Sequence, residues 1–249
     1  MTDHALYIAM TGASATLRAQ ASVAQNLANS DTVGFQATLD GTVAAPVSGA
    51  GLASRVAAEH RTLGVSSNSG ALLNTGGELD VALRPGNWLA VQATDGSTAY
   101  TRAGDLKLSP NGLLTTASGL SVLGADGAPV TIPPYQSLSI ASDGTISIVP
   151  QGQPASTLSE AGRLQVVSAS AKDLARGDDG LMRATPGGTA PVPAVGASLT
   201  AGALEQSNVD ASAMLVSMIQ LARQFEMQVR VLHSADENAK SANSLLSSR

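Results

Sequence analysis

At both ends of this chain small apolar residues recur at steps of three and four, and between the ends apolar and polar positions alternate in short runs. From Leu6 the first pattern passes through Met10, Ala13, Leu17, Ala24 and Leu27, with a polar break at Gln20. From Leu215 the second passes through Met218, Ala222, Phe225, Val229, Leu232, Ala239 and Leu246, broken by Asp236 and Asn243. Such steps put one narrow apolar stripe on a helix, the seam spacing of a coiled coil. They predict a first helix over 4–28 and a last one over 209–246, the latter capped by Ser207 or Asn208. Ser, Asn and Ala dilute both stripes, so each helix alone is marginal, and the two ends are expected to pair. Periodicity leaves two readings open: a hairpin within one chain, or a polymerisation surface.

The middle of the chain reads differently. Residues 36–78 show no sustained period and carry Pro46 with several glycines, which predicts an extended connector. From Leu79 onward, pairs such as Val81/Leu83, Leu106/Leu108, Ile146/Ile148 and Leu164/Val166 alternate. They are separated by Asp95-Gly96, Asn111-Gly112, Asp126-Gly127, Asp143-Gly144 and Asp179-Gly180. Short alternating runs between Asp-Gly and Asn-Gly pairs are hairpin signals. The expected fold is therefore α+β. A helical segment over 1–35 and another over 207–249 form a coiled-coil-like rod domain. A linker over 36–78, an antiparallel β domain over 79–185 and a return linker over 186–206 lie between them.

Composition narrows the function. The chain has 249 residues, 43% of them hydrophobic but only 2% aromatic, so its core must be aliphatic. Charged residues make up 13%, against the roughly 25% of ordinary soluble domains. A surface so weakly charged tolerates close contact with copies of itself. The net charge of −5 and the lack of a basic cluster argue against nucleic acid as partner. No apolar run approaches the roughly 18 residues that span a bilayer, and no basic segment followed by an apolar stretch marks a cleaved signal. With no cysteine, disulfides and thiolate chemistry are excluded.

Candidate chemistry is sparse. His4, His60 and His233 have no neighbours at the spacing of a triad or a metal site. The Asp-Gly pairs lack the alternating ligands of a calcium loop and read as turns. No cofactor, metal or catalytic residue is expected.

Three stretches carry a resemblance. Asn26-Leu27-Ala28-Asn29 followed by Thr32-Val33-Gly34-Phe35 resembles the N-terminal signature of the bacterial flagellar rod and hook family. Gly202-Ala203-Leu204-Glu205-Gln206-Ser207-Asn208-Val209 is similar to the stretch that opens that family's last helix, and Ala99-Tyr100-Thr101-Arg102-Ala103-Gly104 to the start of its inserted domain. The openings at Asp3–Ala13 and Leu221–Val229 look most like the proximal rod members. At Arg84–Leu89 the chain departs from the usual Gly-x-Gly-Phe-Phe.

The resemblance implies a structural subunit of the flagellar basal-body rod. Such a subunit is exported without a cleaved signal through the flagellar type III export apparatus and self-assembles in the periplasmic space. Its implied partners are inner proximal rod subunits and the distal rod protein. The expected assembly interface comprises Leu6, Met10, Leu17, Leu27, Asn29, Gly34, Phe35, Leu215, Met218, Ala222, Phe225, Val229, Leu232 and Leu246. Two alternatives remain. A distal rod or hook-type relative would share the architecture. A secreted β-rich carbohydrate-binding protein would need an aromatic platform or a paired set of carboxylates.

Overall fold

A computed structural model describes residues 2–46, 56–154 and 156–247, with side chains outside the description at 2–6, 239 and 242–247. Two long helices enclose the sequence: α1 spans Thr2–Ala28 and α2 spans Ala211–Ser247. At ~1.5 Å per residue they extend about 40 and about 55 Å. Eighteen strands lie between them among the described residues. The chain divides into two compact units.

The first unit holds α1, α2 and most of two paired strands, β1 (Thr38–Pro46) and β2 (Val56–Val65), as far as Leu63. Asn26 ties α1 to β1 as a strand would. Its Nδ2 donates to the Thr38 carbonyl and its Oδ1 accepts from the Thr38 N–H, both at 2.9 Å. This explains an Asn at the end of a helix whose face is otherwise apolar. α2 is capped by Asp210, whose Oδ1 accepts from Ser212 N and Ala213 N at 2.9 and 3.1 Å. This satisfies two of the orphan N–H groups of the first turn. Ser207 and Asn208, the expected caps, make their bonds elsewhere.

The expected coiled-coil-like rod domain is not what the chain forms. Met10 and Leu17 are 56% and 49% exposed, and Leu215 and Val229 51% and 37%, so these stripe positions face solvent. At Gly12 and Thr16 the contact of α1 with α2 is polar. The Gln228 amide lies 3.2 Å from the space a Cβ on Gly12 would fill, and its Oε1 is 3.2 Å from the Thr16 hydroxyl. The half-buried line on α2 runs through Met214, Met218, Leu221, Phe225, Gln228 and Leu232. Within the expected linker, residues 38–46 and 56–65 form β1 and β2. Only the broad α+β class stands.

The second unit is a β body. Its largest sheet runs Leu174–Arg176, Met182–Ala184, Thr98–Thr101, Asn87–Gln92, Ser121–Val122, Leu114–Thr116, Leu106–Leu108. Val166–Ser168 also pairs with Asn87–Gln92, in register Val166↔Leu89 and Val167↔Trp88. Alternation along Asn87–Gln92 splits the core across the sheet's two faces. Leu89 and Val91 join Val81, Leu114, Val122, Ile146 and Leu164, while Trp88 joins Val65, Val167, Leu174 and Met182. Each fully buried Leu or Ile stabilises the body by about 1.5–3 kcal/mol relative to exposure. A separate meander of Tyr135–Ile140, Thr145–Pro150 and Ser159–Arg163 turns at Asp143-Gly144. Two short pairs complete the unit: Val81–Leu83 with Leu199–Ala201, and Leu72–Asn74 with Ala203–Glu205.

The Asp-Gly pairs build turns by one device. Asp95, Asp126, Asp143 and Asp179 each accept through Oδ1 from the N–H two residues on, the Asx-turn geometry.

Candidate assembly surface

The first unit presents the apolar surface. α1 has Arg18 as its single charge between Leu6 and Ala28, and no charge separates Asp210 from Arg223 at the start of α2. Tyr7, Ile8, Met10 and Leu17 are exposed on α1, and Leu215, Val216, Ile219, Met227, Val229 and Val231 on α2. Leu27, Met218, Ala222, Phe225 and Leu232 are half-buried behind them. The side chains of Leu6 and Leu246 lie outside the described residues.

An apolar cleft of 700 Å³ opens on the same unit, with Ile8, Gly12, Val43, Val56, Gln228 and Val231 in its walls. None of its lining residues carries a charge. On the β1–β2 sheet, His60 Nε2 lies 3.7 Å from Asp40 Oδ1, and among the described residues neither atom has a hydrogen-bond partner.

The remaining expected residues belong to the second unit. Asn29 starts a turn in which its carbonyl accepts from Thr32 N at 3.2 Å. Gly34 is buried at φ +67°, and a Cβ there would stand 2.2 Å from the Arg102 carbonyl carbon. Phe35 lies under the Arg176 guanidinium, 4.2 Å from carbon to ring centroid. Burial holds the Arg176 pKa below the ordinary guanidinium value, and the ring face replaces part of the lost hydration.

Around Gly34 the three resemblance-bearing stretches meet at one buried ion pair. Arg102 and Glu205 are 3% and 0% exposed at their side chains. Arg102 Nε donates to Glu205 Oε2 at 3.0 Å, and Nη2 donates to the same oxygen. The other guanidinium N–H groups reach the carbonyls of Asn87 at 2.7 Å, Leu83 at 3.0 Å and Arg84 at 3.3 Å. Trp88 stacks at 5.6 Å from the guanidinium carbon. Glu205 Oε1 accepts from Gly70 N at 3.0 Å and Gln36 Nε2 at 3.2 Å, and its backbone carbonyl accepts from Gly34 N at 2.7 Å.

Asn208 closes the ring of bonds around the pair. Its Oδ1 accepts from Ala37 N, and its Nδ2 donates to the Asn68 carbonyl and to Gln36 Oε1. Sequence reasoning missed Arg102, Glu205, Gln36, Asn208 and Arg176 as a group. The available signal was that a charged residue stood inside each of two of the resemblance-bearing stretches, Tyr100–Gly104 and Gly202–Val209.

Comparison with known proteins agrees with this layout. Residues 6–36 match the family described as "Flagella basal body rod protein". Residues 84–148 match "Flagellar hook protein FlgE/F/G D1 domain", and residues 200–245 match "Flagellar basal body rod FlgEFG protein C-terminal". The chain belongs to the flagellar basal-body rod family, whose members are structural proteins. It is 44% identical to the flagellar basal-body rod protein FlgF of Salmonella typhimurium over 98% of this chain and 99% of the relative. The FlgF of Escherichia coli is 44% identical with the same coverage. The FlgG rod protein of Bacillus subtilis is 32% identical over 86% of this chain and 88% of its own length.

Proposed function

We propose that this chain is a proximal-rod subunit that builds the basal-body rod through its two terminal helices, adding to copies of itself and to neighbouring rod proteins. The observation that carries the reading is the apolar side of α1 and α2, exposed at Met10, Leu17, Leu215 and Ile219 and nearly free of charge. Contact between two different patches on successive copies gives an open helical polymer where the rotation between copies does not close into a ring, which is what a drive shaft requires. Torque then passes mechanically through packed helices, with no catalytic step. The proposed partners are inner proximal rod subunits and distal rod protein, with delivery by the flagellar type III export apparatus without a cleaved signal. Leu6, Leu27, Met218, Ala222, Phe225, Val229, Leu232 and Leu246 extend the contact along the helices, and Asn29, Gly34 and Phe35 shape the turn after α1.

Two substitutions test the surface. Met10→Asp and Leu215→Asp replace exposed side chains, so at low protein concentration, where the subunit is monomeric, each should keep its wild-type circular dichroism and thermal transitions. Each buries a carboxylate at the assembly contact, which costs several kcal/mol. Cells carrying either variant should be non-motile, with basal bodies purified from them lacking the subunit. Normal rods in both variants would overturn the reading.

A further inference from the structure

We infer that residues 202–208 form a strap that opens and closes on the β body as one cooperative unit together with residues 34–37, and that the Arg102–Glu205 pair is its lock. The strap follows Leu199–Ala201, which stays in the core on Val81–Leu83, and its own Ala203–Glu205 pairs with Leu72–Asn74. Further backbone bonds run from Thr75 N and Gly76 N to the Gly202 carbonyl, both 2.9 Å, from Gly202 N to the Asp80 carbonyl at 2.8 Å, and from Gln206 N to the Ala71 carbonyl at 2.9 Å. The approach is so close that a Cβ on Gly70 would stand 1.9 Å from the Gln206 carbonyl oxygen.

The segment 34–37 is fastened mainly to the strap. Gly34 N, the Phe35 carbonyl, both ends of the Gln36 amide and Ala37 N all bond to Glu205 or Asn208. Outside the strap it is held by Arg176, through the Phe35 ring and the Gln36 carbonyl, and by Ser66 N on the Ala37 carbonyl. Releasing the strap therefore releases both stretches, one continuing in sequence into α1 and the other into α2.

The chemistry of the lock suits opening. Leu72, Leu73 and Asn74 are all exposed, so the outer strand pair buries little apolar surface, and low local burial marks the segments of a fold that open first. A buried ion pair regains hydration when it separates, unlike an apolar contact. While the lock is shut, all five Arg102 N–H bonds are satisfied. Sheet Tyr135–Arg163 shares no strand pairing with residues 202–208 among the described residues; Leu199 N, outside the strap, donates to its Ser142 carbonyl at 3.1 Å.

Amide hydrogen exchange on the full-length monomer tests this, with Trp88 emission as a second reading beside Arg102. In the wild-type chain Gly34, Thr75, Gly202 and Asn208 should exchange with one common opening constant, larger than that of Ser147 and Ile148 in the meander. Glu205→Gln leaves Arg102 buried without its counter-charge. It should raise the opening constant on the order of a hundredfold at all four amides and leave the meander unchanged. Asn208→Ala removes no charge and keeps the test usable if Glu205→Gln does not fold. It should speed Gly34 and Thr75 together by about tenfold, although its side chain touches neither. Unequal opening constants at the four amides, or equal acceleration of the meander, would overturn the strap. So would an Asn208→Ala effect confined to Ala37.

Discussion

Gly34 and Gly104 show how closely single residues are fixed in the β body. A Cβ on Gly104 would stand 1.7 Å from the Val81 carbonyl oxygen, and one on Gly34 2.2 Å from the Arg102 backbone. Gly34 also sits at φ +67°, whereas Gly96 at φ +80° has open space around its Cα. Gly96→Ala should therefore lose only the left-handed penalty of about 1–2 kcal/mol. Gly34→Ala adds a backbone collision and should lose more than about 4 kcal/mol in urea titration; equal losses would show that the turn relaxes freely. Charge is placed as closely. Asp95, Asp143 and Asp179 have lowered pKa values. The causes are the Ser97 hydroxyl for the first, the Thr145 N–H for the second and Arg183 for the third. Their contribution is present above the unfolded carboxylate range and fades as pH falls through the lower folded values. Asp105 is the reverse case, its pKa raised by burial. The folded state holds that proton more tightly, so ionised Asp105 costs stability at neutral pH and the cost disappears as pH falls through its raised pKa. Asp105→Asn should raise stability at pH 7 by under about 1 kcal/mol, and the gain should shrink in acid. A constant difference across pH would assign the effect to something other than charge.

Elements differ in how far the sequence alone gives them away. The hairpin turns were legible because Asp and Gly are each demanded by a local geometry: the Asp side chain accepts the N–H two residues on, and Gly96, Gly127, Gly144 and Gly180 take positive φ. The contact face of α2 was not, since Met214, Leu215, Val216, Met218, Ile219 and Leu221 are apolar nearly all round the helix. A three-four count then fits more than one stripe, and tertiary contact chooses between them. Strands β1 and β2 were missed because small residues, Asp40 and the run Glu59-His60-Arg61 interrupt any apolar alternation, so alternating exposure leaves little mark in hydropathy. Glu205 and Arg102 were invisible as a pair because 103 residues separate them. The start of α2 depends on Asp210, two residues beyond the expected cap at Asn208. Asp210→Ala should cost the helix about 1 kcal/mol and reduce far-UV helicity of the monomer, while Ser207→Ala should leave helicity unchanged. The opposite ranking would return the cap to Ser207.

At the scale of the molecule the two units carry different amounts of core. In the unit of α1, α2 and the β1–β2 sheet, Ala13, Ala15, Thr16 and Asn26 are the buried side chains among the described residues. The β body buries Leu89, Leu114, Ile146, Ile148, Leu164 and Leu199 to below 2% exposure, with many more around them. At ~25 cal/mol per Å² of apolar surface, small and polar buried groups cannot hold two helices of about 40 and about 55 Å as firmly as the aliphatic core holds the sheets. The monomer should therefore lose structure in two steps. On heating, the far-UV helical signal should fall first, while Trp88, buried in the body, keeps its native emission until a second transition at higher temperature. Raising protein concentration should move the first transition upward and leave the second in place, because association through exposed Met10, Leu17 and Leu215 stabilises the helical unit by mass action. Met10→Asp should remove that concentration dependence. Coincident transitions by both probes would mean that the helices draw their stability from the body, and the exposed apolar side would then need no partner to hold them.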